Sequence, residues 1–225
     1  VEPVALLSSV LPPSVVAVAR LADDDAGPLH ASEETAVARA VETRRAEFTT
    51  GRTCAREALS SLGAPAEAVP VGEQRAPVWP DGVVGSITHT RGFRGAAVAW
   101  RSAVRSVGID AEVHDAVPDG VLDVVSSPGE RAVLDRLSAE RPDVAWDRLL
   151  FSAKESVYKA WFPLTGRWLG FEDAELEPAV DGTFVARLLV EGPTVDGVVV
   201  SSFAGRWAVG GGILVTGIAL AARGA

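Results

Sequence analysis

Twice along this chain a helical stretch gives way to a run of short strands, and that repeated order constrains the fold more than any single motif does. In the first half, residues 15–21 read as a strand, and Asp23-Asp24-Asp25 with Gly27-Pro28 as a turn. An Ala/Val/Arg pattern then runs from Ser32 to Leu62 as helix, with a break expected near 49–51 and a stop at Gly63. Residues 71–81 are too rich in Gly and Pro for a helix and read as an ordered loop. Strands follow at 83–88, 95–100 and 103–112, the last two expected to form a hairpin around Arg101-Ser102. In the second half, helices over 128–137 and 146–162 precede strands at 171–176, 183–189, 195–207 and 213–220. Asp181-Gly182 and Gly210-Gly211-Gly212 are the turns between strands. The pattern predicts an α/β (α+β) protein of two similar subdomains, each with helices on an antiparallel sheet. The expected halves are 1–112 and 113–225.

A chain of 225 residues can bury a substantial core. Its net charge of -9 argues against non-specific binding to nucleic acid or anionic membrane, while leaving room for a local basic pocket. Cys54 is the single cysteine, so neither an internal disulfide nor a thiolate zinc cluster is expected, and the histidines at 30, 89 and 114 are scattered. No apolar run reaches membrane-spanning length. Residues 4–21 are apolar, but Pro12-Pro13 interrupts them and no basic region precedes them, so a signal peptide is not expected. These features suggest a cytoplasmic protein without a membrane or nucleic-acid partner.

Nineteen of the 21 basic residues are Arg, and both lysines fall in one nine-residue run, Phe151-Ser152-Ala153-Lys154-Glu155-Ser156-Val157-Tyr158-Lys159. Asp110 and Glu112 end an apolar strand, where alternation puts both carboxylates on one face. On spacing alone a solvated strand end is the commoner explanation, and Glu155 with Lys159 fits a surface i,i+4 pair. Together, Asp110, Glu112 and Glu155 would make a three-carboxylate Mg²⁺ site with Lys159 available for phosphate charge. Arg45, Arg52 and Arg56 lie along one helical stripe, either a solvated face or a phosphate grip, and His89 after a strand is a further anion donor or a structural histidine. Neither a GxGxxG nor a Walker A pattern is present.

Three segments taken in order carry a resemblance: Gly72 through His89 (GEQRAPVWPDGVVGSITH), Val107 through Glu112 (VGIDAE), and Phe151 through Lys159 (FSAKESVYK) continuing into Trp168-Leu169-Gly170-Phe171. The chain resembles the two-fold pseudo-symmetric 4'-phosphopantetheinyl transferases, particularly the actinobacterial enzymes that activate carrier proteins of polyketide and peptide synthesis. The resemblance implies transfer of 4'-phosphopantetheine from coenzyme A to a serine of an apo acyl or peptidyl carrier protein, releasing 3',5'-adenosine bisphosphate. It implies Asp110, Glu112 and Glu155 as Mg²⁺ ligands, Glu155 also as general base, and Lys159 on the diphosphate, with Lys154 in a neighbouring supporting role. Arg44, Arg52 and His89 would clamp the 3'-phosphate, with Gly72, Glu73 and Arg75 around adenine and ribose. Ser86 and Thr88 would line the coenzyme A site, and Tyr158 and Trp168 the pantetheine channel. A monomer with its site between the halves follows from two fused repeats. The residues by themselves leave open a Mg²⁺-dependent phosphotransferase or phosphohydrolase acting on a small molecule, or a non-catalytic coenzyme A-binding domain.

Overall fold

The computed structural model describes residues 2–23 and 26–223, so part of the expected turn, Asp24-Asp25, lies outside the described residues. The chain opens with α1 (Pro3–Ser8) and β1 (Val16–Arg20), then the short α2 (Ala31–Glu34) and the long α3 (Glu42–Leu62). No break occurs at 49–51; the interruption falls at 38–41 instead. Thr49 and Thr50 survive inside α3 because their hydroxyls bond back to the carbonyls of Arg45 (2.8 Å) and Ala46 (3.0 Å). Gly63, at φ 77°, ends the helix as its left-handed cap.

β2 (Val83–Thr90) turns at Arg91-Gly92 into β3 (Phe93–Trp100), giving a three-stranded sheet of order β1-β3-β2. The expected hairpin around Arg101-Ser102 does not form. β3 is the middle strand, with both edges already bonded to β1 and β2, so the next strand has nowhere to pair. That strand, β4 (Val104–Val113), instead pairs with β10 (Ile213–Ala221) in a second sheet. Its order is β4-β10-β9-β6-β5, completed by β5 (Ala174–Pro178), β6 (Thr183–Leu188) and β9 (Ser202–Gly210). The sheets therefore change over at 101–103, and a division after residue 112 would cut β4 from the sheet to which it is bonded. The strand expected over 195–207 is also interrupted. β7 (Thr194–Val195) and β8 (Val198–Val199) make a small hairpin through left-handed Asp196 and Gly197 before β9 begins. Between β4 and β5 lie α4 (Val121–Val125), α5 (Pro128–Glu140) and α6 (Trp146–Thr165).

The two sheets meet where β2 lies alongside β4. Ser86 Oγ accepts the Ile109 amide at 3.2 Å and Thr88 Oγ1 accepts the Ala111 amide at 2.9 Å. The constant offset of 23 residues means that the strands run in the same direction, with side-chain hydroxyls standing where a neighbour's carbonyls would be. α1 and the turn after it bridge the two sheets, placing Leu7 and Val10 in one core with Phe93 of the first sheet and Ile109 and Val215 of the second. α6 packs onto β4 at Gly108, where a Cβ would sit 2.1 Å from the Ser156 carbonyl oxygen. The glycine of VGIDAE is thus what allows helix and strand to touch.

Each half is anchored by one buried carboxylate in a repeated role. Glu33 bonds back to the His30 amide (2.9 Å) and accepts the Val69 amide (2.8 Å) and Arg56 of α3 (2.9 Å). Glu130 does the same for the Ser127 amide (2.7 Å), the Leu176 amide (2.8 Å) and Lys154 of α6. Each carboxylate closes its own helix start and ties it to the long helix and to the segment beyond. Lys154→Met would leave Glu130 buried without its countercharge, and a loss of about 3–5 kcal/mol is expected in urea unfolding. Arg187→Ala, which breaks the exposed ion pair with Glu175, is expected to cost at most about 1 kcal/mol.

Candidate active site

The seam forms the floor of a cleft of about 1000 Å³ between β2, the 74–82 loop and α6. Asp110 lies at its base, 5% exposed, with donors on both oxygens. Lys159 Nζ (2.6 Å) and Thr88 Oγ1 (3.2 Å) donate to Oδ1, and Ser152 Oγ (2.9 Å) donates to Oδ2. Lys159 also donates to the Ile109 carbonyl at 3.1 Å. Glu155 faces the same cleft from α6, and no hydrogen bond or ion pair ties it among the described residues. Burial, and then the charge of Asp110, raise its pKa, with Lys159 opposing.

Glu112 shares a strand face with Asp110 but is held by Arg148 Nη1 at 3.2 Å. Burial first, and repulsion from Asp110 second, push its carboxyl up to about 7 despite Arg148 and Lys159. Among the described residues no three Asp, Glu, His or Cys side chains converge closely enough to hold a metal, and Lys159 and Arg148 engage two of the three carboxylates. The donor set nonetheless fits a hard divalent cation. It offers only carboxylate oxygens, and Asp110, Glu112 and Glu155 outnumber the two cations, Lys159 and Arg148, that engage them.

Arg44, Arg75 and His89 mark the boundary between this cleft and a second cavity of about 810 Å³. Arg44 Nη1 donates to His89 Nε2 at 2.5 Å, which places the imidazole proton on Nδ1, toward Glu47 at 3.6 Å. Burial and then Arg44 hold the His89 pKa below its usual value. Arg52 opens onto the second cavity. It is 5% exposed, its guanidinium lies over the Phe48 ring at 4.3 Å, and its Nε has no hydrogen-bond partner among the described residues. Burial lowers its pKa to about 10. A desolvated cation without an acceptor is costly unless an anion comes to it.

Other expected positions divide differently. Arg75 lines the cleft, but Gly72 and Glu73 belong to the stem behind it, where a Cβ on Gly72 would meet Val78 at 2.9 Å. Ser86 and Thr88 line the cleft, yet both hydroxyls are engaged by β4. Lys154, expected in a supporting role beside Lys159, does not line the cleft. Its buried ammonium is bonded to Glu130, the Phe171 carbonyl (2.7 Å) and the Ala174 carbonyl (3.1 Å). Tyr158 and Trp168, with ring centroids 5.1 Å apart, wall a smaller pocket of about 270 Å³ that opens beside Glu155. Gln74 lies within the resemblance stretch 72–75 and Trp79 within the segment 72–89, and both stand on the cleft wall, where the backbone is left-handed at Gln74 and Arg75. Sequence reasoning gave no role to Ser152 beside Asp110.

Residues 32–99 match the 4'-phosphopantetheinyl transferase N-terminal domain, and residues 106–209 the 4'-phosphopantetheinyl transferase superfamily. The chain is 58% identical over 201 residues to the 4'-phosphopantetheinyl transferase Svp of Streptomyces mobaraensis, covering 89% of this chain and 82% of that one. It is 50% identical over 224 residues to PptT of Mycobacterium tuberculosis, covering 96% and 98%. It is 46% identical over 225 residues to Npt of Nocardia iowensis, covering 96% and 100%.

The raised Glu112 gives a pH prediction for metal-free protein. The folded state holds this proton more tightly than the unfolded chain, whose ordinary value is 4.5. Its ionisation therefore costs stability progressively as pH rises from about 4.5 through about 7, and fully above that. Thermal melts in EDTA should show Glu112→Gln gaining stability over the parent at pH 8, with the gain vanishing near pH 4.5.

Proposed function

The chain belongs to the 4'-phosphopantetheinyl transferase superfamily, and from that premise we propose how its residues divide the work. It transfers the phosphopantetheine group of coenzyme A to a carrier protein. The observation that carries the assignment is the order of two adjoining cavities: Arg52, without a hydrogen-bond partner among the described residues, opens onto one, Asp110, Glu155 and Lys159 line the other, and Arg44, Arg75 and His89 stand between them. Coenzyme A has the matching order, with a 3'-phosphate at one end and a diphosphate before the pantetheine arm.

On this reading Arg44, Arg52 and His89 receive the 3'-phosphate, while Arg75 and Gln74 flank adenine and ribose. Lys159 takes a diphosphate oxygen, and Tyr158 and Trp168 guide the pantetheine arm. Asp110, Glu112 and Glu155 would hold Mg²⁺, which when bound neutralises the diphosphate and polarises the attacked phosphorus. Glu155 takes the proton of the carrier serine, and the rise in its pKa from burial and Asp110 makes it a stronger base than an ordinary carboxylate. The arginine and histidine clamp keeps 3',5'-adenosine bisphosphate in place as it departs, so its charge never meets an unpaired acidic wall.

Both halves of one chain build the cleft, so we assign the working form as a monomer. No helix is long and apolar enough to cross a membrane among the described residues, and we place the enzyme in the cytoplasm with its coenzyme A. With a net charge of -9, long-range steering cannot bring in an acidic carrier. We assign docking to apolar contacts after Asp115, around α4, where Val124 is 73% exposed.

Incubation with coenzyme A, Mg²⁺ and an apo carrier protein should add the mass of phosphopantetheine to the carrier. An unchanged carrier mass would contradict the transfer. Glu155→Ala should lower kcat by about 10²–10⁴-fold in a folded protein. Arg52→Ala should raise KM for coenzyme A about 10–100-fold but leave 3'-dephospho-coenzyme A nearly unaffected. Equal losses for both substrates would remove Arg52 from the clamp. Added salt should barely change KM for the carrier, and a steep rise would rule out a mainly apolar dock.

A further inference from the structure

Between α6 and the second sheet lies a row of buried hydroxyls that the chemistry above does not use. Thr216 of β10 stands opposite Asp110 of β4 in the strand register, so the two side chains share the face that α6 covers. Ser156 Oγ lies 2.7 Å from Thr216 Oγ1, and Thr216 Oγ1 lies 3.0 Å from both the oxygen and the Oγ of Ser152. Ser152 Oγ in turn donates to Asp110 Oδ2 at 2.9 Å. Ser152, Ser156 and Thr216 are all fully buried.

One proton per hydroxyl fixes the direction of this row. Ser152 spends its proton on the carboxylate, which can only accept, so Thr216 must donate toward Ser152. Thr216 then has no proton left for Ser156, and Ser156 donates to Thr216. The Thr216 proton has two acceptors at 3.0 Å, the carbonyl oxygen and Oγ of Ser152, and Ser156 has a second acceptor in the Thr216 carbonyl at 3.3 Å, so the row leads to Ser152, which alone of the three donates to Asp110. We propose that Ser152, held in its rotamer by Thr216, is a positioning residue of the transfer reaction. It immobilises Oδ2 of Asp110 and leaves Oδ1 facing the cleft beside Lys159. The inference rests on the reading of Asp110 as a Mg²⁺ ligand. A metal-ligating carboxylate free to rotate would spend binding energy on its own ordering, and partners behind a ligand commonly contribute 10–100-fold to metal affinity.

The test is calorimetric titration of MgCl₂ into protein saturated with coenzyme A, without carrier so that no turnover occurs. Ser152→Ala should weaken Mg²⁺ binding about 10–100-fold, while coenzyme A affinity in EDTA stays within about twofold of the parent. Thr216→Val, which keeps the volume and removes the hydroxyl, should shift Mg²⁺ affinity in the same direction, and it carries the comparison if Ser152→Ala fails to fold. Ser106→Ala is the packing control. Its hydroxyl bonds the Ala160 carbonyl at 2.6 Å in the same helix–sheet contact but does not touch Asp110. Unchanged Mg²⁺ affinity in Ser152→Ala, or an equal loss in Ser106→Ala, overturns the proposal. If Asp110→Asn weakens Mg²⁺ binding while Ser152→Ala does not, the inference alone falls. If Asp110→Asn also leaves it unchanged, the ligand assignment falls with it.

Discussion

Two sheet edges meet in the middle of this molecule, and everything at the cleft depends on how they are satisfied. A strand edge buried without partners would strand a row of amides, each costing about as much as a lost hydrogen bond. β2 supplies Ser86 and Thr88 two residues apart, matching the Ile109 and Ala111 amides two residues apart on β4. Side-chain oxygens thus complete a ladder that backbone oxygens do not. This junction places Thr88 against Asp110, and the glycine at 108 lowers α6 onto the same strand, bringing Lys159 and Glu155 to the same cleft.

A second constraint acts within each half. Glu33 and Glu130 are buried carboxylates whose lone pairs are filled by a helix-start amide, a downstream amide and a cation from the long helix. The cations differ in kind. Arg56 donates Nη1 to both Glu33 oxygens and Nη2 to the Pro28 carbonyl. Lys154 meets Glu130 and two carbonyls converging on one point, which a compact ammonium satisfies and a guanidinium does not. One of the chain's two lysines is therefore a structural anchor, and the other, Lys159, bonds Asp110 in the cleft.

The acidic net charge conceals a strongly polarised interior. At one end Arg52 is desolvated over Phe48, and at the other Glu112 and Glu155 are pushed toward their neutral forms. Each end is an electrostatic cost in the empty protein that a ligand of opposite charge removes. The 3'-phosphate of coenzyme A suits the cationic end, and the acidic end would suit its diphosphate only with a divalent cation between the two.

The sequence by itself determined the elements and the chemistry-bearing segments. Periodicity located α3, α5, α6 and most strands. Spacing put Asp110 and Glu112 on one face and Glu155 one turn from Lys159, which by itself fits a solvated strand end and a surface pair; the family resemblance is what joined them into one site. Sequence could not choose partners. Neighbours in sequence suggested pairing β3 with β4, but β3 was already bonded on both edges, and β4 found β10 a hundred residues away. The roles of Lys154, Ser152 and Thr216 were hidden for the same reason. Each is set by a hydrogen bond across the fold, and only tertiary structure decides which distant acceptor a buried donor meets.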